Sequence, residues 1–142
     1  SEWYRTAPYW HKSVGILLAI AMLLRVLWRY FSPPPPALAS HKGWEKLTAA
    51  AVQLALYLGI MLLVITGYLI STEDGRPVQV FAWFEVPALG QLFNNQADIA
   101  GVIHEYTAYT LISLAVLHGL AAVKHHVIDK DATLKRMFGR KP

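Results

Sequence analysis

Residues 47–70 read LTAAAVQLALYLGIMLLVITGYLI and contain no charged side chain. A helix needs about 20 predominantly apolar residues to cross a bilayer. The stretch also lacks the polar face, repeated at helical spacing, that a surface helix of a soluble protein shows. It therefore predicts a transmembrane helix.

Two further apolar stretches of similar length lie on either side. Residues 11–31 carry charges only near their ends, and residues 99–123 are interrupted only by His104, Glu105 and His118. The sequence SPPPP at residues 32–36 ends the first helix, because proline cannot continue one. The expected fold is an all-α membrane protein with three transmembrane helices, and residues 1–142 are expected to form a single membrane domain.

The composition supports this interpretation and excludes several functions. The chain has 142 residues, of which 55% are hydrophobic and 15% charged, so it is more apolar than a typical soluble domain. Despite the net charge of +4, no nucleic-acid partner is expected. Because there is no cysteine, disulfides, thiolate metal sites and covalently attached c-type haem are excluded. No side chains suggest a nucleophile–base pair, so hydrolysis is unsupported.

The distribution of Lys and Arg predicts the orientation. Three of them lie on the side of the N-terminal segment and the loop 71–98, and ten lie on the other side: Arg25, Arg29, Lys42, Lys46, Lys124, Lys130, Lys135, Arg136, Arg140 and Lys141. The side richer in basic residues is normally cytoplasmic. We therefore expect a bacterial inner-membrane protein with a periplasmic loop 71–98 and a cytoplasmic tail 124–142.

The long loop carries a turn signal, EDGRP at residues 73–77, and an aromatic run with Phe81, Trp83 and Phe84. Aromatic side chains concentrate at membrane–water interfaces. We expect this loop to lie along the lipid surface rather than to form a substrate site.

Histidines inside membrane spans mark function by default. His11 opens the first span and His104 lies in the first turns of the third. Both spans run in the same direction, so the two imidazoles are expected at similar depth, near the outer face. His118 follows His104 by 14 residues, which places it on the same helix face about 21 Å further along.

That separation is too long for one metal centre but suits two haem groups, one near each membrane surface. Neutral imidazoles on both sides of a haem iron would give a six-coordinate centre for electron transfer. Zinc fits poorly because no further ligands are visible. The alternative is that these histidines only form hydrogen bonds in the packed bundle.

The remaining histidines suggest other roles. His125 lies seven residues after His118, at the cytoplasmic boundary, where snorkelling or a quinone-linked and proton-transfer role is favoured over haem ligation. His126 is expected to be exposed to solvent. His11 and His104 can complete one site, whereas His118 has no opposite histidine. We therefore expect a fourth helix, supplied from before Ser1 or by a neighbouring chain.

Several motifs together resemble the bacterial cytochrome b561 family of four-helix dihaem membrane proteins. They are HKSVGI (11–16), RVLWR (25–29), SPPP (32–35), ALY (55–57), GYLIS (67–71), VFAWF (80–84), His104, LHG (117–119), KHH (124–126) and DKDATLKRM (129–137). The resemblance starts just after the family's first helix, so the three spans would form most of a four-helix haem-binding bundle.

The resemblance implies haem b as cofactor. His11 and His104 match the ligands of the periplasmic haem, and His118 matches one ligand of the cytoplasmic haem. The other ligand of that haem lies on the family's first helix. Gln53 stands where relatives often have histidine, so no ligand or quinone role is assigned to it.

The leading functional hypothesis is electron transfer across the membrane, linked to ubiquinone or another quinone. Superoxide oxidation coupled to ubiquinone reduction ranks below it, because the outer loop is acidic. A further alternative is a cytochrome b anchor subunit that docks a periplasmic redox partner. The last is a non-redox membrane scaffold.

Overall fold

Three long helices dominate the computed structural model, which describes residues 2–33, 36 and 42–128. Helix α1 covers Trp3–Phe31, α2 covers Gly43–Thr72 and α3 covers Gln96–Val127. All three are long and apolar enough to cross a membrane, which confirms the predicted all-α membrane fold. The tail 129–142 and His41 lie outside the described residues.

Helix α1 begins eight residues before the predicted span, at Trp3. The helix includes Pro8 in its second turn, where the missing backbone N–H leaves the carbonyl of Tyr4 without its usual helical partner. Its outer turns pack against the loop that follows α2, where the rings of Tyr9 and Trp10 meet the ring of Phe81 edge-on. The turns of α1 that precede the apolar stretch therefore contact the loop through Tyr9 and Trp10, whereas Trp3 and Tyr4 stay exposed.

Helices α2 and α3 form the main contact of the bundle and run antiparallel. At its centre, a Cβ atom added to Gly59 would lie only 2.7 Å from Cδ1 of Leu111. Near one end, Nζ of Lys124 lies 3.7 Å from Oε1 of Glu45. The small residue lets the two backbones approach closely, as in many membrane helix pairs.

The loop between α2 and α3 contains a hairpin that the sequence did not reveal. Strands β1 (Val78–Val80) and β2 (Phe84–Val86) pair antiparallel. Val78 and Val80 are buried, and β1 packs against α1. The predicted turn before the hairpin is present, and Gly75 adopts a positive φ of 87° there.

Two buried polar side chains tie this loop to the helices. The hydroxyl of Ser13 on α1 accepts a hydrogen bond from the backbone N–H of Phe81 at 3.0 Å. The side chain of Gln96 at the start of α3 accepts from the N–H of Leu92 and donates to the carbonyl of Leu69. The loop is thereby held over the outer end of the bundle instead of lying only along lipid. Phe81 is half-buried, whereas Trp83 and Phe84 stay exposed.

Candidate functional site

The structure brings His11 of α1 and His104 of α3 together. Their ring centres are 6.0 Å apart and the ring planes are nearly perpendicular, at 85°. His104 is half-buried and His11 is exposed. Two helices that are distant in sequence therefore present imidazoles to each other at one depth.

The backbones around this pair stay apart. In the described part of the chain, no Cα atom of α1 lies within 8 Å of a Cα atom of α3. Gly15, one turn after His11, and Gly101, one turn before His104, face open space: a Cβ atom added to either would meet no atom within 4 Å. The two imidazoles thus meet across a gap between α1 and α3. The glycines at positions 15 and 101 add no side chains to this gap.

A hydrogen bond with a side chain of α2 determines which ring nitrogen of His104 is available to bind a metal. Nδ1 of His104 lies 3.0 Å from Oγ1 of the buried Thr66. That hydroxyl has a single proton, and it lies 2.7 Å from the carbonyl oxygen of Leu62, to which it donates. Thr66 therefore accepts from Nδ1–H of His104, which leaves Nε2 as the unprotonated, metal-binding nitrogen.

Helix α2 also supports the ring of His104 sterically. A Cβ atom added to Gly67 would lie 3.2 Å from Cε1 of His104. The ring therefore rests against the α2 backbone at Gly67 while Thr66 holds its Nδ1. Sequence reasoning missed Thr66, because its role depends on a contact between side chains 38 residues apart.

The pair fits an iron porphyrin. Imidazole nitrogens bind first-row metals at about 2 Å, so rings on opposite sides of one metal have centres about 6 Å apart, as observed. Among the described residues, no group of three or more His, Cys, Asp and Glu side chains could hold a metal ion. The open space beside Gly15 and Gly101 leaves room for the edges of a macrocycle, which would supply the other ligands of a haem iron.

His118 lies further along α3, which continues without a break from His104. The ring is half-buried, and the described residues bring no second histidine against it. Gly119 beside it faces open space. The structure therefore places His118 on the bundle side of α3 without completing a site there.

Two further histidines, His125 and His126, lie at the end of α3. The side chain of His125 lies outside the described part of the structure. His126 is half-buried, and its Nδ1 is buried without a hydrogen-bond partner among the described residues. The expectation that His126 is exposed to solvent is therefore wrong, because the fold buries part of this ring, including its Nδ1.

Near His11, the outer surface carries a groove of about 430 Å³ lined by basic side chains. Arg5 and Lys12 come from α1, and Arg76 comes from the loop. Arg76 donates from Nε to Asp74 at 2.7 Å, and this hydrogen bond lowers the pKa of the Asp74 carboxyl. Asp74 therefore stays ionised and balances Arg76, whereas no described carboxylate pairs with Arg5 or Lys12.

Taken together, the fold and the site define a multi-pass membrane protein that joins two imidazoles within its helical bundle. A family model described as prokaryotic cytochrome b561 matches residues 1–140. The chain belongs to this family, as its motifs suggested, and is a membrane cytochrome. Proteins of the cytochrome b561 family bind b-type haem.

Curated relatives agree with this assignment. The chain is 52% identical over 138 residues to "Cytochrome b561 homolog 2" of Escherichia coli, covering 97% of this chain and 73% of the relative. It is 28% identical over 137 residues to "Cytochrome b561 homolog 1" of the same organism, covering 92% of this chain and 74% of that protein. It is also 30% identical over 131 residues to "Probable superoxide oxidase CybB" of Yersinia pestis, with coverage of 92% and 74%.

Proposed function

We propose that the chain holds a haem b between His11 and His104 and carries electrons across the bacterial inner membrane to the quinone pool. The observation that supports this most is the His11–His104 pair at 6.0 Å, with Nδ1 of His104 engaged by Thr66. Bound haem supplies one-electron redox chemistry. The non-redox scaffold is set aside because this family binds haem.

The roles of the protein side chains follow from their positions. His11 and His104 would hold the haem iron, and Thr66 would keep Nε2 of His104 free for it. The apolar helices around the pair exclude water, which lowers the local dielectric and tunes the potential. His118 would hold a second haem together with a ligand from outside the described residues.

The orientation supports transfer between the two faces. The His11–His104 pair lies at the end of the bundle that carries the loop and the hairpin, which the charge distribution assigns to the periplasm. His118 and His125 lie toward the opposite, cytoplasmic end, where we place quinone reduction. Each quinone takes up two electrons, delivered one at a time, and two protons, for which His125 provides a route.

The quinone link is tested by mixing the reduced, haem-loaded protein with a short-chain ubiquinone and following the loss of the α-band. We expect oxidation of the haem by the quinone. We expect His125→Ala to slow this step about a hundredfold, at the lower end of the range for loss of a proton-transfer group, and to leave the haem content unchanged.

His41→Ala is the matched control, because His41 lies in the sequence between the SPPPP stretch and the start of α2. It is expected to react at the wild-type rate. A reduced protein that ubiquinone does not oxidise would contradict the quinone link. Loss of a whole haem in His125→Ala would instead make His125 an axial ligand.

A second candidate, superoxide oxidation coupled to ubiquinone reduction, is favoured by the outer basic groove. Two superoxide anions would each give one electron, leaving two O₂, and one ubiquinone would take both electrons and two protons. The carboxylates of the loop argued against an anionic substrate. In the structure, however, Glu73 accepts a hydrogen bond from the N–H of Ala97, Asp74 pairs with Arg76, and Arg5 and Lys12 face the groove beside His11.

Electrostatic steering makes this candidate testable by salt. We expect superoxide to reduce the haem at a rate that falls about tenfold when ionic strength rises from low to physiological values, since exposed charges are then screened. Arg5→Gln/Lys12→Gln should be slower at low salt and depend less on salt. Lys42→Gln/Lys46→Gln, which removes the same charge from the other end, should behave like wild type. A rate independent of salt in the wild type would reject the basic groove as the entry point.

A further inference from the structure

A second groove, of about 490 Å³, lies between α1 and α2 at the end of the bundle opposite the hairpin. It is lined by Val26, Arg29, Tyr30, Ala50, Gln53, Leu54 and Tyr57. At its edge, Nε of Arg25 donates to the hydroxyl of Tyr57 at 2.9 Å, linking the two helices. The groove is separate from the His11–His104 site, which lies at the other end of α1.

The polar end of this groove has excess positive charge. Arg25 and Arg29 are one turn apart on α1, and no described carboxylate pairs with either. The carboxylate at this end of the described bundle, Glu45, already lies near Lys124. Two guanidinium groups at the boundary of a membrane span are costly without an anion, and the described residues supply none to this groove.

The rest of the groove suits a hydrocarbon chain. Its walls are mainly apolar, and Val26 and Leu54 are 46% and 60% exposed. The wall that α2 contributes runs from Ala50 to Tyr57, which corresponds to about 10 Å along a helix. A ligand that fits both parts has an anionic head and an apolar tail.

We propose that this groove binds an anionic phospholipid from the membrane leaflet on its side. The phosphate lies on the guanidinium groups of Arg25 and Arg29, next to the Tyr57 hydroxyl, and one acyl chain lies along Val26 and Leu54. Basic pockets between transmembrane helices on the cytoplasmic side bind anionic lipid head groups in this way. Arginine suits this role because its planar donors match phosphate oxygens in pairs.

The test uses the full-length, haem-loaded protein in detergent micelles that contain equal amounts of phosphatidylglycerol and phosphatidylcholine. Native mass spectrometry then counts the lipids retained per chain. We expect the wild type to retain phosphatidylglycerol about tenfold over phosphatidylcholine, which is 1.4 kcal/mol. Arg25→Gln/Arg29→Gln should abolish the preference, and Lys42→Gln/Lys46→Gln, with the same loss of charge outside the groove, should keep it.

A second variant tests the apolar part independently of the charges. Leu54→Trp fills the wall of the groove with a bulky ring, and it is expected to reduce retention of both lipids while the arginines remain. Circular dichroism and the haem spectrum show whether each variant is folded. If the arginine variant does not fold, Leu54→Trp still decides the proposal.

Three results would overturn the proposal. The first is equal retention of the two lipids by the wild type. The second is an equal loss of preference in both double variants, which would indicate a diffuse basic surface. The third is a changed haem spectrum in Arg25→Gln/Arg29→Gln, which would assign the arginines to the cofactor. The proposal does not depend on the assignment of His11 and His104 as haem ligands, because the groove lies at the other end of α1.

Discussion

His104→Ala is expected to abolish haem binding at the His11–His104 site. The substitution removes one of the two axial ligands and the ring that rests on the α2 backbone at Gly67. We expect the haem bound at this site to fall at least tenfold. The thermal stability should fall as well, because a ligand at a thousand times its Kd stabilises the folded state by about 4 kcal/mol.

The measurement is the haem-to-protein ratio of the purified variant, together with its thermal unfolding. His118→Ala is the control, because this imidazole lies on the same helix but about four turns away. It should keep the haem between His11 and His104. Full haem content in His104→Ala would show that the ligand assignment is wrong.

Thr66→Val is expected to weaken haem binding about 10- to 100-fold, the usual cost of removing a partner that orients a metal-ligating histidine. Valine has nearly the same shape but cannot accept the hydrogen bond from Nδ1–H of His104. The buried N–H would lose its partner, and the imidazole would no longer be held with Nε2 free.

Titration of the haem-free protein with haem, followed by absorbance, gives the affinity. The reduction potential of the loaded variant provides a second readout that a purely structural role would not change. Thr66→Ser keeps the hydroxyl, so it should restore both values to near wild type. Equal affinity and potential in Thr66→Val and wild type would remove Thr66 from the site.

The transmembrane helices could be predicted from the sequence because lipid imposes a simple requirement. A span must be apolar over about 20 residues, and residues 47–70 satisfy it without a charge. The helix ends were harder to predict. The N-terminal end of α1 depends on the packing of Tyr9 and Trp10 on Phe81, which is a tertiary contact.

The contact between His11 and His104 could be predicted from the sequence. The first and third spans run in the same direction, and each histidine lies near the start of its span, so both lie at a similar depth. The partner of His104 was not readable. Thr66 is one of several polar residues in or near α2. Which of them contacts His104 depends on how α2 is rotated relative to α3. The partial burial of His126 was not readable either, because it arises from tertiary packing.

Counting the charges in the loop 71–98 did not predict the charge of the surface that the folded loop forms. Its carboxylates outnumber its one arginine, which suggested an acidic docking surface. Folding distributes these charges differently: Glu73 bonds to the start of α3, and Arg5 and Lys12 of α1 are brought beside Arg76. The hairpin that creates this arrangement has strands of only three residues, too short for a clear alternating pattern.

The most direct test of the account is low-temperature electron paramagnetic resonance of the oxidised, purified protein. Two axial imidazoles from His11 and His104 predict a low-spin ferric haem signal. Substituting either residue by alanine should remove that signal or convert it to high spin. A high-spin signal in the wild type, or a low-spin signal unchanged in both alanine variants, would contradict the His11–His104 site.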